Sequence, residues 1–267
     1  MGPEAASVPG AAPHVTRDSG GGSVPPVRLY ADLADWYHLV TPPHEYAEEA
    51  DHLMRLLATA RPTPPRTMLE LGCGGGNLAS HLDVSEVVLT DVSEDMLRVS
   101  RRINPGREHL RGDMRTLRLG RRFDAVLVHD AIDYMLTEED LRAAIATVAA
   151  HLAPGGAAVL LPDATAESFA PGSSHGGDDG DDGRGVRYLE WVREPAPGAT
   201  TYDMDFVFLL REAGGATRVA HDPHVCGLFP QATWDRLIVA AGLVAVDASG
   251  VADPWPGEHV PMVVRPA

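Results

Sequence analysis

Basic residues are scarce in this chain. Its 267 residues include 22 lysine and arginine residues against 38 aspartate and glutamate residues, so the formal charge at neutral pH is -16. Such a charge repels phosphate backbones and anionic membrane surfaces, and we therefore expect neither nucleic acid nor a membrane as a partner. A small nucleotide-linked molecule stays compatible with this charge, because a few well-placed arginine side chains can bind a diphosphate inside an acidic protein.

Cysteines and long apolar runs are equally rare. Cys73 and Cys226 are too few for a disulfide framework or a zinc site, and we expect both as thiols. No apolar run approaches the roughly 20 residues that a membrane span needs, and residues 1–24 lack the charged and apolar regions of a secretory signal. These absences predict a cytoplasmic protein. The 44% hydrophobic fraction suffices for the core of one α/β domain with a modest insertion.

Segments with different patterns follow one another along the chain. Glycine, proline, alanine and serine dominate residues 1–26, which we predict to be a disordered tail, and one domain is predicted over 27–267. Apolar residues at helical spacing occupy 29–40, and a clear amphipathic helix is predicted over 45–60. Short apolar strands then alternate with helical segments. This alternation predicts a Rossmann-like, mostly parallel α/β sheet with helices on both faces.

A glycine- and aspartate-rich stretch, residues 171–185, interrupts this pattern. Its composition favours a mobile loop, and its aspartates lack the ligand spacing and the terminal glutamate of an EF-hand calcium loop. Three stretches of strand character, separated by turn residues, then predict an antiparallel β insertion over 186–228. The chain returns to a predicted helix at 231–242 and to predicted strands at 243–248 and 259–266.

The glycine turn Glu70–Gly76, written ELGCGGG, lies between the apolar strand TMLEL and a predicted helix LASHL. Glycine is needed there because the backbone must turn tightly and approach a ligand with no Cβ in the way. Asn77 stands where a dinucleotide-binding fingerprint requires its third glycine, so the G-x-G-x-x-G pattern fails. The turn therefore predicts a ligand seat of another kind.

The turn resembles motif I, E/D-x-G-x-G-x-G, of class I S-adenosylmethionine (SAM) dependent methyltransferases. The elements after it arrive in the family's order, with Asp91 at the end of the next strand and Gly112-Asp113-Met114 after the third. The resemblance implies that Glu70 holds the methionine amino group and that Asp91 accepts hydrogen bonds from the ribose hydroxyls. It also implies that Met96 contacts the adenine ring and that Asp113 accepts from the adenine amino group.

The resemblance extends to a complete set of expected cofactor contacts, with S-adenosylhomocysteine as the product. The expected contacts are Tyr30, Tyr37, Tyr46, Glu70, Gly72, Cys73, Gly74, Asn77, Asp91, Val92, Met96, Gly112, Asp113, Met114 and His129.

Two flanking stretches narrow the resemblance. Residues 30–50 and 221–243 resemble bacterial methyltransferases that N-dimethylate nucleotide-linked amino sugars in antibiotic pathways. In such enzymes an N-terminal helix with tyrosines closes over SAM and the insertion roofs the acceptor pocket. The resemblance thus implies that Tyr30, Tyr37 and Tyr46 form a lid. Each of these aromatics could equally pack the helix onto the sheet.

Three residues are expected near the reacting groups: His129, Tyr37 and His224. His129 ends the fourth predicted strand, where family members often carry a small residue facing the sulfur-bound methyl group. Its near-neutral unperturbed pKa would let it accept a proton, although a structural histidine is equally compatible with a strand end. Two histidines and a carboxylate, His221, Asp222 and His224, could bind iron or zinc. We expect no metal, because His224 begins an H-x-x-x-L-F pattern that resembles family members without one.

These observations predict a SAM-dependent enzyme that methylates a small molecule, with an amine such as a nucleotide-linked amino sugar as the acceptor. Two alternatives stay open: an O- or C-methyltransferase with His129 as its base, and a SAM-binding protein that transfers no methyl group. The sequence also leaves open the acceptor itself, the number of methyl groups added and the oligomeric state, for which a homodimer is one candidate.

Overall fold

The computed structural model describes residues 27–254 and 259–267. The disordered tail predicted for residues 1–26 lies outside these residues. Within them the α-helices are α1 (Tyr37–Val40), α2 (Ala47–Ala60), α3 (Glu94–Ile103), α4 (Glu138–His151) and α5 (Gln231–Ala240). Short 3-10 helices cover Arg28–Tyr30, Ala34–Trp36, Pro43–Tyr46, Leu78–His81 and Ala131–Tyr134. None of the described helices is long and apolar enough to cross a membrane.

The strands, in chain order, are β1 (Thr67–Leu71), β2 (Glu86–Asp91), β3 (Glu108–Arg111), β4 (Phe123–His129), β5 (Leu152–Leu161), β6 (Gly172–Gly176), β7 (Gly185–Val192), β8 (Thr201–Arg211), β9 (Thr217–Gly227), β10 (Leu243–Ala245) and β11 (Met262–Pro266). A seven-stranded sheet has the order β10-β11-β5-β4-β1-β2-β3. β1 to β5 are parallel, whereas β11 runs antiparallel to β5 and β10. The predicted fold class is confirmed.

Alternating side chains bury both faces of the seven-stranded sheet. Leu69 and Leu71 of β1 lie in one buried cluster with the apolar faces of α4 and α5. Met68 lies in a second buried cluster with α2 and α3. Because neighbouring residues of a strand point to opposite faces, an unbroken apolar strand is covered by helices on both sides. The carboxyl ends of β1, β2 and β4 consequently meet at one edge, where α/β sheets bind their ligands.

The two helices nearest this edge begin at hydroxyl caps. The Ser93 Oγ accepts the Met96 N–H at 3.2 Å at the start of α3. The Thr137 Oγ1 accepts the Asp140 N–H at 3.1 Å at the start of α4. Each cap satisfies a backbone donor that has no partner within its own helix.

A second sheet, antiparallel and four-stranded, has the order β6-β7-β8-β9. Its inner face packs against the N-terminal segment, and this buried cluster contains Leu29, Leu33, Trp36, Val40, Val186, Phe208, Leu210 and Ala220. β9 also contacts the 3-10 helix Ala131–Tyr134 that follows β4. The second sheet and the N-terminal segment therefore form one wall beside the carboxyl edge of the central sheet.

Three sequence predictions need correction. The apolar pattern over 29–40 forms two 3-10 helices and the short α1, and the segment predicted as the helix LASHL is the 3-10 helix Leu78–His81. The stretch 171–185 is not a loop throughout, because Gly172–Gly176 forms β6 and pairs with β7. Backbone hydrogen bonds hold an edge strand whatever its side chains, so a glycine-rich composition does not preclude pairing.

Candidate active site

A cavity of about 710 Å³ opens at the carboxyl ends of β1, β2 and β4. Its lining contains almost every residue predicted to contact the cofactor, namely Tyr30, Tyr37, Tyr46, Glu70, Gly72, Cys73, Gly74, Asn77, Asp91, Val92, Gly112, Asp113, Met114 and His129. Met96 lies behind this lining, buried with Ala34 and Val99, so the structure does not give it the predicted direct contact with the cavity. The local spacing of the motifs thus converges on one chamber.

The glycine turn has backbone conformations that favour glycine. Gly72, Gly74 and Gly76 have φ angles of 76°, 52° and 75°. A Cβ on Gly75 would lie 2.4 Å from a ring carbon of Tyr37. The N–H groups of Gly72 and Cys73 both donate to the Thr90 carbonyl of β2, at 2.8 and 2.9 Å. These hydrogen bonds hold the turn against β2, and the ring of Tyr37 packs directly on the backbone of the turn.

Glu70 is a buried carboxylate on the cavity wall at the end of β1. Its Oε2 is fully buried and has no hydrogen-bond partner among the described residues. Burial raises the pKa of Glu70 to about 7. A buried acceptor without a partner is costly, so this oxygen fits a cationic or hydrogen-bond-donating group of a ligand.

Asp91 is partly satisfied by the protein itself. Its two carboxylate oxygens accept the N–H groups of Gly74 at 2.9 Å and Ser93 at 2.8 Å. Burial raises the pKa of Asp91 in spite of these hydrogen bonds. Each oxygen keeps a further lone pair for a hydroxyl group, so the carboxylate can orient the turn and accept from a ligand at once.

Asp113 is paired with Arg115, a residue that the sequence interpretation missed. The Arg115 guanidinium donates to Asp113 Oδ2 at 2.6 Å and to Asp140 Oδ1 at 2.9 Å. Hydrogen bonding from Arg115 lowers the pKa of Asp113. The Asp113 carboxylate is therefore fixed in place as an anion at the cavity wall.

His129 lies in the lining as predicted, but its surroundings contradict a role as a base. Its Nε2 donates to Glu49 Oε1 at 2.7 Å and lies 3.2 Å from Asp130 Oδ1. Burial alone would lower the pKa of His129, but the Asp130 and Glu49 carboxylates outweigh burial and raise it to about 10. The imidazole is protonated at neutral pH and cannot accept a proton from a substrate.

His259 extends this group of charges. It lies 3.6 Å from Glu49, 4.0 Å from Asp130 and 3.7 Å from Asp163. Among the described residues, two sets of three come close enough to hold a cation, Glu49, His129 and His259 in one and Asp130, Asp163 and His259 in the other. Ion pairing between imidazolium and carboxylate groups accounts for the same short distances. We call these five residues the His129 cluster.

The three residues considered as metal ligands from the sequence are not brought together. His221 is 57% exposed and pairs with Asp205 at 2.7 Å, whereas Asp222 and His224 are buried. Residues of β9 alternate between the two faces of the sheet, so His221 points away from its two neighbours. The alternation of side chains that predicts this strand already places His221 on the opposite face from Asp222 and His224.

Asp222 and His224 instead belong to a row of buried polar groups that extends to the cavity. Asp222 accepts the N–H groups of Arg28 at 2.9 Å and Leu29 at 2.7 Å, and it lies 3.2 Å from His224 Nε2. The His224 Nδ1 is bonded to the Tyr134 hydroxyl at 2.8 Å, which is bonded to the Tyr30 hydroxyl at 3.0 Å. His224 therefore lies behind Tyr134 rather than in the lining.

The functional residues that sequence reasoning missed fall into two kinds. Asp130 and Tyr134 follow directly after β4, so their position at a strand end was a usable signal. Glu49 lies 80 residues before His129 in the chain, and no local pattern connects the two.

The sequence of this chain is similar to those of known methyltransferases. A family model described as a methyltransferase domain matches residues 68–156. The chain is 35% identical over 218 residues to dTDP-3-amino-3,4,6-trideoxy-alpha-D-glucopyranose N,N-dimethyltransferase from Streptomyces venezuelae, a match that covers 80% of this chain and 90% of that protein. The chain belongs to the SAM-dependent methyltransferase family. It is accordingly an enzyme with SAM as its cofactor.

Solved structures of methyltransferases share the fold. DesVI from Streptomyces venezuelae matches with a TM-score of 0.76 and 32% identity, covering 89% of this chain and 98% of that chain. SAM-bound CalS10, an amino pentose methyltransferase from Micromonospora echinaspora involved in calicheamicin biosynthesis, matches with a TM-score of 0.68 and 27% identity, covering 82% of this chain and 90% of that chain. The predicted cofactor and fold are both confirmed.

The chamber of this methyltransferase fits SAM chemically. The unpartnered Glu70 oxygen suits the methionine amino group, the Asp91 carboxylate suits hydroxyl donors, and the glycine turn leaves room for close backbone approach. SAM supplies a methyl group on a sulfonium, whose thioether leaving group needs no proton. What remains for the protein is to align a nucleophile with the methyl carbon and to exclude water.

Proposed function

We propose that this methyltransferase transfers methyl groups from SAM to the amine of a sugar linked to a nucleoside diphosphate. The observation that carries the proposal is the ion-paired state of His129. The alternative with a hydroxyl or carbon acceptor requires His129 as its base, and a protonated imidazole cannot accept the proton. An amine needs only to be neutral. The relatives' names, which include an N,N-dimethyltransferase of a dTDP-linked amino sugar, support the same acceptor.

In the proposed reaction the lone pair of the acceptor nitrogen attacks the methyl carbon in line with the departing sulfur. The N–C bond forms as the C–S bond breaks, giving S-adenosylhomocysteine and a methylated ammonium. Glu70 and Asp91 would hold the cofactor, and Asp113, fixed by Arg115, would accept from the adenine amino group. Tyr30, Tyr37 and Tyr46 cover the chamber and exclude water.

The test is an assay with SAM and a dTDP-linked 3-amino sugar, followed by mass spectrometry. We expect the substrate to gain one and then two methyl units, with an equivalent amount of S-adenosylhomocysteine. The matched control is the dTDP sugar with a hydroxyl at the same carbon, which should gain none. Methylation of the hydroxyl sugar, or SAM binding without consumption across amino sugars, would refute the proposal in favour of one of the two alternatives.

We propose that residues 27–267 form one domain in which the antiparallel insertion over 186–228, preceded by β6, roofs the acceptor side. The buried contacts between this sheet and the N-terminal segment support the arrangement. A cytoplasmic location is consistent with Cys73 and Cys226, which are buried thiols in the described part of the chain. Fractionation of the native host would test the location.

We propose further that a second copy of the chain covers the outer face of the second sheet. Large apolar side chains are exposed there on three adjacent strands, namely Leu189, Trp191, Val207, Leu209 and Val219. The charged residues at the two ends of this face are paired within the chain, Asp205 with Arg193 and Arg211 with Asp179. A two-fold axis through the apolar centre buries the apolar side chains against their copies. Light scattering should give a dimer that Leu209→Asp converts to a folded monomer, and a monomeric wild type would refute it.

A further inference from the structure

Asp130 has a strained backbone at the end of β4. It is the one non-glycine residue with a positive φ in the described ranges, with φ 44° and ψ -45°. Such conformations are unfavourable and persist only where surrounding contacts hold them. Here the Asp130 N–H donates to the Leu161 carbonyl at 3.0 Å, and the Asp133 N–H donates to the Asp130 carbonyl at 2.9 Å. The turn brings the Asp130 side chain into the cavity lining.

The Asp130 carboxylate is free to bind a ligand. Its side chain is 47% exposed although it lies within the His129 cluster, because its accessible surface belongs to the cavity. The His129 Nε2 lies 3.2 Å from its Oδ1 but donates its hydrogen to Glu49 instead. Oδ1 is fully buried and has no hydrogen-bond donor within the described residues, so the exposed part of the carboxylate, which a ligand can reach, lies at Oδ2.

Other carboxylates nearby are committed elsewhere. Glu49 is 12% exposed and holds His129, and Asp133 is buried and accepts the Asp163 N–H at 3.0 Å. Neither residue belongs to the cavity lining, and neither does Asp163, within the part of the chain that the structure describes. Asp130 is thus the carboxylate of the His129 cluster that lines the cavity.

The charges around Asp130 come from every element packed against it. His129 is on the same strand, Glu49 on α2, Asp133 on the following 3-10 helix, Asp163 after β5, and His259 before β11. Burial and the Asp163 and Glu49 carboxylates raise the pKa of Asp130, while His129 and His259 lower it, and the net shift is upward. The Asp130 carboxylate is a stronger base than an exposed aspartate.

We propose that Asp130 binds the ammonium group of the acceptor and removes its proton before each methyl transfer. The inference rests on the proposed amine acceptor. The proton moves from the ammonium nitrogen to an Asp130 oxygen, which leaves a neutral amine and a carboxylic acid. The nitrogen lone pair then attacks the methyl carbon, and the C–S bond breaks. Asp130 returns its proton to water through the accessible side of the cavity before the next round.

The imidazolium of His129 assists this proton transfer because it lies next to Asp130. A fixed positive charge near the acceptor disfavours the ammonium form relative to the neutral amine. Glu49 keeps the charge on His129 while leaving Asp130 unbonded. His129 is therefore a positioning residue, and the proton acceptor is the residue after it.

The test compares pH profiles of kcat for wild type and Asp130→Asn with an amino sugar as acceptor. Asparagine tolerates a positive φ as aspartate does, so the fold should persist. At pH of about 7 the variant should lose on the order of 100-fold in kcat. Its kcat should rise about tenfold per pH unit until the acceptor amine is neutral in solution, whereas the wild type loses activity only on the acid side, where Asp130 is protonated.

Asp130→Gly gives a second readout, because glycine relieves the backbone strain and leaves space where the carboxylate was. Added formate should restore part of its activity, which a purely structural role would not explain. Asp235→Asn is the control, since it removes an exposed carboxylate of α5 outside both the lining and the His129 cluster and should keep kcat within about threefold. SAM affinity measured by calorimetry should be unchanged in all three variants.

The two proposals fail in different ways. If wild type methylates no amine, the proposed function is wrong whatever Asp130 does. If wild type methylates the amine while Asp130→Asn matches its kcat at every pH, or Asp130→Gly gains nothing from formate, the role of Asp130 is refuted and the proposed function stands.

Discussion

Asp222→Asn should release the N-terminal segment from the second sheet. The Asp222 carboxylate accepts the N–H groups of Arg28 and Leu29 at 2.9 and 2.7 Å, and its side chain is 1% exposed. Asparagine keeps one acceptor oxygen and turns an NH₂ group toward the other N–H. One charge-assisted hydrogen bond is lost and two donors are forced together, at a cost of about 2–4 kcal/mol. This cost corresponds to roughly 30-fold to 1,000-fold more frequent opening of the segment.

Hydrogen exchange at the Leu29 amide measures this opening directly. We expect exchange there to accelerate by the same factor, together with weaker SAM binding, because Tyr30 and Tyr37 on this segment line the cavity. The control is Asp32→Asn, which removes an exposed ion pair with Arg28 and should change exchange by less than about fivefold. Unchanged Leu29 exchange in a folded Asp222→Asn protein would refute the view that Asp222 holds the segment.

Hydrogen bonds to the charged form outweigh burial and lower the pKa of Asp222. The stability that Asp222 contributes is therefore complete above its unfolded pKa and is lost as the pH falls through the lower folded pKa. Opening of the segment should be constant through the neutral range, and acid should reproduce the effect of Asp222→Asn.

Three further predictions concern the cofactor seat and the fold. Because the pKa of Glu70 is about 7 and an ammonium needs the ionised carboxylate, calorimetry should find SAM affinity falling about tenfold per pH unit below that value, and a flat profile would contradict the assignment. Gly75→Ala should weaken SAM binding about tenfold or more by displacing the Tyr37 ring, whereas Gly214→Ala, with open space around it, should not; equal affinities would refute the contact. Thr137→Ala should lower Tm by about 2–4 °C through the lost cap of α4 without changing SAM affinity, and an unchanged Tm would show that the cap contributes nothing.

Most residues on the cofactor side of the site could be predicted from local sequence patterns. The strand, glycine turn and strand-end acids Glu70, Asp91 and Asp113 are close in sequence, and each strand end is brought to the same edge by the parallel sheet. Their placement follows from periodicity and turn chemistry. The placement of Met96 could not be predicted in this way, because a helix position alone does not tell whether a side chain faces the ligand or the core behind it.

The acceptor side could not be read in the same way. The charge on His129 depends on Glu49, 80 residues earlier, and on Asp130, whose strained turn is invisible in composition. The sequence therefore left both a catalytic and a structural histidine open at this position, whereas the structure has an imidazole that is ion-paired with Glu49. The grouping of His221 with Asp222 and His224 could, by contrast, have been rejected from the sequence, since alternation along β9 separates His221 from the other two residues.

The contact between Asp222 and the Arg28 and Leu29 amides joins positions 194 and 193 residues apart. On the ribosome, the stretch from β1 to the 3-10 helix Ala131–Tyr134, which contains most of the cofactor seat, emerges several seconds before Asp222 at synthesis rates of roughly 5–20 residues per second. During that interval Asp222 is not available to bind the N-terminal segment, and the wall behind Tyr30 and Tyr134 is incomplete. The chamber for the acceptor is thus completed last, and a nascent chain able to shape the cofactor seat is still unable to close it.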